Sequence, residues 1–412
     1  MIPATIYIVK FDPSLIKFFG KIKTHNTYRT QLLLHTALIV LLVFLGLFGC
    51  KPKNEKPTLN GDINIDSSIK YAEGFKITYF DDHINLEIKK PWQNADKTYK
   101  YLLYSGDLPK NKASESFDAI IKTPIETIVV TSTTHIPALE LLNVEKSLIG
   151  FPETKYISSG IIRKRIDNGS VSDLGKNEEI NTEVLLELNP NIVIGFGIDG
   201  TNKTLENISK AGIPVIYDGD WMETSPLAKA EWIKFFGALF NKEKIADSIF
   251  KGIEKDYLAA KDLAMKAHTK PKVLCGAMHK DIWYLPKGGS TEAQFLDDAN
   301  VDYLWRHTKG SGSLALSFES VFEMGKNADL WFNPSNFTSY EGLEKSNLHY
   351  TEFDAFINKN IYTITNTTGE TGGVLYYELG TTRPDLVLKD IIKISHPELL
   401  KDYQPFFLKP LH

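Results

Sequence analysis

Ile180-Asn-Thr-Glu-Val-Leu-Leu-Glu-Leu-Asn-Pro-Asn-Ile-Val-Ile194 reads as a capped helix, Asn181 to Leu188, that delivers the chain into a buried strand, Ile192 to Ile194. Offset by 136 residues, Leu316-Ser-Phe-Glu-Ser-Val-Phe-Glu-Met-Gly-Lys-Asn-Ala-Asp-Leu330 repeats the plan, pairing Glu183 with Glu319, Glu187 with Glu323 and Asn191 with Asn327. Each copy has a cap (Asn181 or Ser317), a glutamate in the first turn and a strand just after the helix. One design used twice implies two lobes.

Around the first copy the chain alternates strand and helix. Ile128 to Val130, Leu148 to Phe151, Ile192 to Ile194 and Ile213 to Tyr217 read as strands, with helices at Pro137 to Leu142 and Leu205 to Ala211. Around the second copy, strands are expected at Lys272 to Cys275, Ile282 to Leu285 and Ala328 to Phe332, with helices at Thr291 to Asp298, Phe318 to Gly325 and Pro384 to Ile394. Crossovers of this length imply parallel sheets. Between the lobes, Leu227 to His268 lacks proline and repeats apolar residues at helical spacing, with Ile245, Ile249, Ile253, Tyr257 and Leu258 on one face. As a helix, Lys242 to His268 would be a strut about 40 Å long. Short alternating runs from Phe75 to Tyr79 and Ile84 to Ile88 predict hairpins. The expected fold is α/β: two Rossmann-like lobes joined by a single long helix, with a small β-rich N-terminal extension. The divisions are residues 1–50, a hydrophobic address; 51–124, a tether and the β-rich extension; 125–225, the N-terminal lobe; 226–270, connecting helices; and 271–412, the C-terminal lobe and tail.

With 412 residues, 42% hydrophobic and 24% charged, the composition excludes disordered, collagen-like and polytopic membrane classes. Basic and acidic side chains number 47 and 51, which offers nucleic acid no global field, so no nucleic-acid partner is expected. The two cysteines, Cys50 and Cys275, exclude a disulfide framework or a Cys-rich metal site. Cys50 closes the run QLLLHTALIVLLVFLGLFGC from Gln31. As a helix, Leu32 to Gly49 would span about 27 Å, close to a bilayer's hydrocarbon thickness. Lys17, Lys21, Lys23 and Arg29 precede it like the basic region of a signal peptide, and the helix-breaking tether Lys51 to Pro57 follows. The ending Leu47-Phe48-Gly49-Cys50 resembles the bacterial lipobox, which implies cleavage before Cys50 and lipidation of its thiol. A retained membrane-spanning anchor is the alternative, and either reading exports the body.

Asp173-Leu174-Gly175, followed by the spacing Asn181-x-Glu183-x-Leu185-Leu186-x-Leu188-x-Pro190-x-Ile192, resembles the signature of class III periplasmic substrate-binding proteins. Those are solute receptors of ABC importers for vitamin B12, haem and ferric siderophores. The resemblance covers roughly Ile125 to Leu400 and implies a ligand held between the lobes: a ferric siderophore, haem or cobalamin, a small-molecule metal complex rather than an intrinsic cofactor. It also implies an ABC transporter permease as partner, docked through one glutamate per lobe, at the positions of Glu183 and Glu319. Read from the residues alone, either glutamate is also explained by favourable interaction with its helix dipole.

Cleft candidates are polar or aromatic residues on loops after strands. Thr133, Thr134 and His135 follow the first lobe strand; the hydroxyls either meet a ligand or cap the next helix, and His135 either hydrogen-bonds, ligates a metal centre or is simply satisfied. Trp221 lies in Asp218-Gly-Asp-Trp-Met-Glu, and Trp305 with Arg306 occupies a C-lobe loop, suited to a flat ring and a carboxylate. Trp283 reads as core. Arg163, Lys164 and Arg165 form a basic patch placed near a loop. Neither G-x-S-x-G nor HExxH occurs, and the ten histidines are dispersed, so no catalytic residue and no bare metal-ion site is expected. The rival classes are an exported hydrolase-like enzyme and a cell-surface interaction protein.

Overall fold

Phe75–Tyr79 (β1) and Ile84–Ile88 (β2) pair as an antiparallel hairpin that buries Phe75, Leu86 and Ile88. Tyr99–Tyr104 (β3) adds antiparallel to β2, and Ala119–Lys122 (β4) adds parallel to β3. The computed structural model describes residues 69–109, 116–177, 179–197, 200 and 202–412. The apolar address and Cys50 lie outside the described residues. Among those described, no helix is long and apolar enough to cross a membrane.

The N-terminal lobe is a parallel sheet of Ile128–Val130 (β5), Leu148–Phe151 (β6), Ser172–Asp173 (β7), Ile192–Gly195 (β8) and Val215–Tyr217 (β9), in the order β7-β6-β5-β8-β9. β5, β6, β8 and β9 are buried on both faces, as their near-continuous Val and Ile content requires when helices cover both sides. The order reverses between β5 and β8, creating a topological switch point.

The C-terminal lobe repeats the scheme. Lys272–Cys275 (β10) leads through the hairpin Ala277–His279 (β11) and Ile282–Pro286 (β12) to Asp302–Tyr303 (β13), Ser313–Leu316 (β14), Leu330–Phe332 (β15), Ile361–Thr363 (β16) and Lys409–Pro410 (β17). The main sheet runs β13-β10-β15-β16-β17, parallel except for β17, and reverses between β10 and β15. A side sheet, β11-β12-β14, is antiparallel. The repeated units align: Asn181 accepts from the Val184 N–H and Ser317 from the Ser320 N–H, capping the helices Thr182–Leu188 and Phe318–Gly325 ahead of β8 and β15.

The connecting segment is three helices, Pro226–Glu231, Ile233–Leu239 and Glu243–Ala264, the last of them a strut shorter than the expected Lys242 to His268. The last break falls at Asn241, whose φ of 52° is the left-handed conformation that asparagine tolerates after a helix. The strut has 22 residues, about 33 Å. Its buried face is Ala246, Phe250, Ile253, Tyr257, Ala260 and Ala264, while Ile245 and Leu258 are exposed. The expected face was therefore rotated from the true one.

Two cores result. β1 to β9, the helix Ile233–Leu239 and the first half of the strut, through Ala246, Phe250 and Ile253, share one. The second half of the strut, from Tyr257, belongs to the C-lobe core. The β-rich extension is thus built into the N-terminal lobe: Trp92 and Tyr99 pack on Tyr217 of β9, whose N–H donates to the Tyr101 hydroxyl at 3.2 Å. The change of sequence pattern at Ile125 marks a change of topology and not a break in packing.

Candidate functional site

Loops leaving the carboxyl ends of the parallel strands line three cavities. After β5 come Thr131, Ser132, Thr133, Thr134 and His135; after β6, Pro152 and Glu153; after β8, Phe196; after β9, Asp220 and Trp221. One cavity of about 310 Å³ lies among Ser132, Thr134, His135, Phe196, Asp220 and Trp221. A second, about 270 Å³, shares Ser132 and Phe196 with it and is closed from the other lobe by Gly373, Val374 and Tyr377. Tyr377 also borders a third, about 500 Å³, lined by Gly276 after β10, Asn333 and Ser335 after β15, and Ile364 after β16. Each lobe therefore opens at its switch point, where doubly wound sheets bind ligands, and Tyr377 borders an opening on either side.

The lobes touch beside this cleft. The Ser158 N–H donates to Glu378 Oε2 at 2.6 Å, and the Ser158 hydroxyl to the Gly373 carbonyl at 3.2 Å. A Cβ on Gly373 would lie 2.6 Å from the Tyr156 carbonyl, so glycine permits this approach. Burial and the nearby Glu140 push the Glu378 carboxyl up to about 7 against the backbone N–H groups of Ser158 and Ser159, which favour the charged form. A carboxyl raised on folding stabilises the folded state fully below its ordinary pKa, near 4.5, and loses that contribution as pH rises through about 7. Thermal stability of the wild type should fall from pH 5 to pH 8 by on the order of 2–3 kcal/mol from this group. Glu378→Gln should flatten that limb in melts recorded across the range. An unchanged profile in the variant would remove Glu378 as its source.

The predicted site residues separate into two sets. Thr133, Thr134, His135 and Trp221 line the cleft. Ser132 caps the short turn Thr133–His135 by accepting from the Thr134 N–H, so the hydroxyl run supplies a cap as well as cleft surface. Trp221 is 38% exposed and free to meet a ligand. Trp305 and Arg306 line none of the three cavities. Trp305 is buried in the C-lobe core beside Tyr303 and Gly325, and Arg306 is tied to Asp302. The basic patch is likewise structural: it lies on the helix Gly160–Asp167, where Arg163 donates to the Thr154 carbonyl and Arg165 to those of Glu145 and Lys146. Trp283 is core, stacked on Trp331 at 5.5 Å.

His135 is almost wholly buried, and burial pushes its imidazole down to about 4, against the raising effect of Asp220. Burial and Asp220 drive the Asp218 carboxyl well above its usual range. These carboxylates, with Phe196, Tyr156, Asn333, Tyr376 and Tyr377, did not emerge from the sequence as site residues. The strands that precede most of them signalled the loops. Tyr376 and Tyr377 lie on the helix Leu375–Leu379 after a long irregular connection, where no strand points to them.

Glu183 and Glu319 are both exposed in the first turn of their helices and form no ion pair among the described residues. The Glu319 carboxyl is held below its usual range by its own backbone N–H and the Ser317 hydroxyl. Each helix feeds the following parallel strand through a short turn and runs antiparallel to it. Its N-terminus therefore stands at the strands' carboxyl edge, the edge that carries the cavities.

A sequence model described as periplasmic binding protein matches residues 128–368, more than half of the chain. The chain belongs to the periplasmic binding protein family. This periplasmic binding protein is 28% identical over 415 aligned residues to an uncharacterized lipoprotein of Methanocaldococcus jannaschii, covering 92% of this chain and 96% of that one. A possible iron-binding (periplasmic solute-binding) protein of Staphylococcus epidermidis superposes with a TM-score of 0.52 at 17% identity, over 66% of this chain and all of that one. The periplasmic heme-binding protein RhuT of Roseiflexus, in apo form, gives 0.50 at 19% identity over 65% of this chain and 99% of that one. The family is one of binding proteins, not enzymes, which disposes of the hydrolase alternative. Two lobes, a switch point in each and a strut between them form its fold.

Proposed function

We propose that this protein is the exported solute receptor of an ABC importer, anchored through a lipid on Cys50. It captures a metal complex of an organic ligand between its lobes and passes it to the permease, which docks on Glu183 and Glu319. The observation that carries this reading is a cavity lined by both lobes, with Tyr377 shared between it and the opening of the C-terminal lobe. A solute seated between those linings is held by both lobes at once, so binding and lobe closure are coupled.

The lining suits an aromatic or macrocyclic complex: Phe196, Tyr156 and Trp221 on one side, Tyr284 and Tyr377 on the other. Its charged groups among the described residues are Glu153, Asp220 and Glu292 beside the ionisable His135 and His279. That field favours a complex without net negative charge, placing a neutral ferric hydroxamate or a corrinoid ahead of haem or a catecholate. The iron-binding name of the staphylococcal relative points the same way for the metal.

Titration of the detergent-solubilised full chain with a ferric trihydroxamate, cyanocobalamin, haem and a ferric catecholate should show saturable tryptophan quenching by one of the first two. Tyr377→Ala should weaken that binding by roughly tenfold or more. Tighter binding of the catecholate would overturn the charge argument, and no binding by any complex would overturn the cargo class. Cys50→Ala should abolish incorporation of radiolabelled lipid. Undiminished labelling would move the anchor elsewhere.

A further inference from the structure

Three ligand-type side chains converge beneath the cavity between Ser132 and Trp221. His135 ends the turn after β5, and Asp218 and Asp220 follow β9, brought together because β5 and β9 flank β8 in one parallel sheet. One donor atom from each lies within 4.8 Å of the others. His135 and Asp218 are each 1% exposed and Asp220 9%. Such burial ordinarily demands full hydrogen bonding. Here Asp218 Oδ2, which faces His135 Nε2, has no hydrogen-bond partner, and Asp218 Oδ1 accepts the Asp220 N–H at 2.7 Å. No lysine or arginine pairs with either aspartate among the described residues.

The spacing has a specific meaning. His135 Nε2 stands 3.4 Å from Asp218 Oδ2, long for a charge-assisted hydrogen bond. Two donors each about 2.1 Å from a tetrahedral zinc-type ion stand about 3.4 Å apart. His135 and Asp220 also border the cavity, which leaves a side of the cluster facing the cleft. Three protein donors with a fourth position open is the arrangement of an exchangeable metal site rather than a closed structural one.

We propose that His135, Asp218 and Asp220 bind a divalent first-row transition-metal ion with one coordination position open to the cleft. The imidazole selects ions of the zinc, cobalt or nickel type over magnesium and calcium, which prefer all-oxygen sites. The two carboxylates match the ion's charge, which removes the cost of burying them without a cation. The assignment goes beyond the cargo reading and does not depend on it.

Cobalt(II) titrated into the chelator-treated full chain in detergent should bind one equivalent and develop visible ligand-field bands. Zinc should displace it, and magnesium should not. His135→Ala and Asp218→Asn should each weaken binding by at least roughly a hundredfold, more than losing an outer-shell partner costs. Their near-wild-type circular dichroism would show that the ligand, not the fold, was lost. If either variant fails to fold, copper(II) electron paramagnetic resonance on the wild type decides, with coupling to one imidazole nitrogen expected. Substoichiometric cobalt binding, binding undiminished in both folded variants, or a copper signal without nitrogen coupling would each overturn the site. No organic iron complex enters the titration, so its failure leaves the cargo reading to its own test.

Discussion

Reversing the charge of both Glu183 and Glu319 to lysine should abolish solute uptake in cells while leaving the solute affinity of the isolated protein unchanged. Both carboxylates are exposed, neither is engaged in an ion pair among the described residues, and neither lines any of the three cavities. Their helices repeat the same cap, the same first-turn glutamate and the same following strand, so the two charges stand at equivalent places on the two lobes. Both stand at the edge where the cleft opens, so a permease that receives the solute there meets them together. Charges on an interface rim steer encounter and fix orientation, and two like charges facing basic partners would make docking unfavourable. Uptake should fall at least roughly a hundredfold in the double variant and by less in either single one. Reversal at Glu187 and Glu323, one turn further along the same helices, is the control and should transport normally. Loss of favourable interaction with the helix dipoles predicts only a slight fall in melting temperature. Normal uptake by the double variant would dismiss the docking assignment, and weakened solute affinity would show that the charges act on the cleft instead.

The repeat around Glu183 and Glu319 made the two-lobe plan legible because caps, apolar spacing and buried strands are local signals. Both helices begin one residue after the predicted caps Asn181 and Ser317, and the second ends at Gly325 as expected. Other features depend on partners distant in sequence. The strut buries Ala246 against Gly237 of the helix Ile233–Leu239, and Ala260 and Ala264 in the C-lobe core where the helix Pro384–Ser395 packs on it, because small residues admit close approach, whereas hydrophobicity alone favoured Ile245 and Leu258. Ser313–Leu316 becomes β14 because β12 offers it an edge, although its glycine-rich lead reads as a loop. At the site, Thr134, His135 and Trp221 were visible because each follows a readable strand. Trp305 and Arg306 follow a strand too, but an aromatic on a loop packs inward as readily as outward, and Asp302 claims the arginine. The grouping of His135 with Asp218 and Asp220 is set by strand order, which spacing along the chain does not reveal.

Glu231→Ala should destabilise the protein by about 3–5 kcal/mol, the cost of breaking a buried hydrogen-bonded charge. Its carboxylate is fully buried and accepts the N–H groups of Lys70, Tyr71 and Ala72 at 2.7–3.0 Å, together with the Lys234 ammonium at 2.9 Å. The three backbone donors belong to the lead into the β-rich extension, so one side chain of the connecting helices ties that lead to the strut region. Glu223 repeats the device, accepting from Glu73 and Gly74 and from the indole of Trp232. Glu223 ends the loop that carries Asp218, Asp220 and Trp221 into the cleft. The extension, without visible chemistry of its own, thus braces the loop that forms one wall of the cleft. Alanine at position 231 should lower the melting temperature by roughly 6–15 °C. It should also speed amide exchange at Tyr71 and Ala72 before global unfolding. Glutamine should cost less, because it keeps an acceptor for the backbone donors. Because the loop and the extension share Glu223, solute affinity should also fall in the alanine variant at temperatures where the fold remains intact. A variant that melts with the wild type and retains slow exchange at both amides would show that the extension is held by its apolar contacts alone.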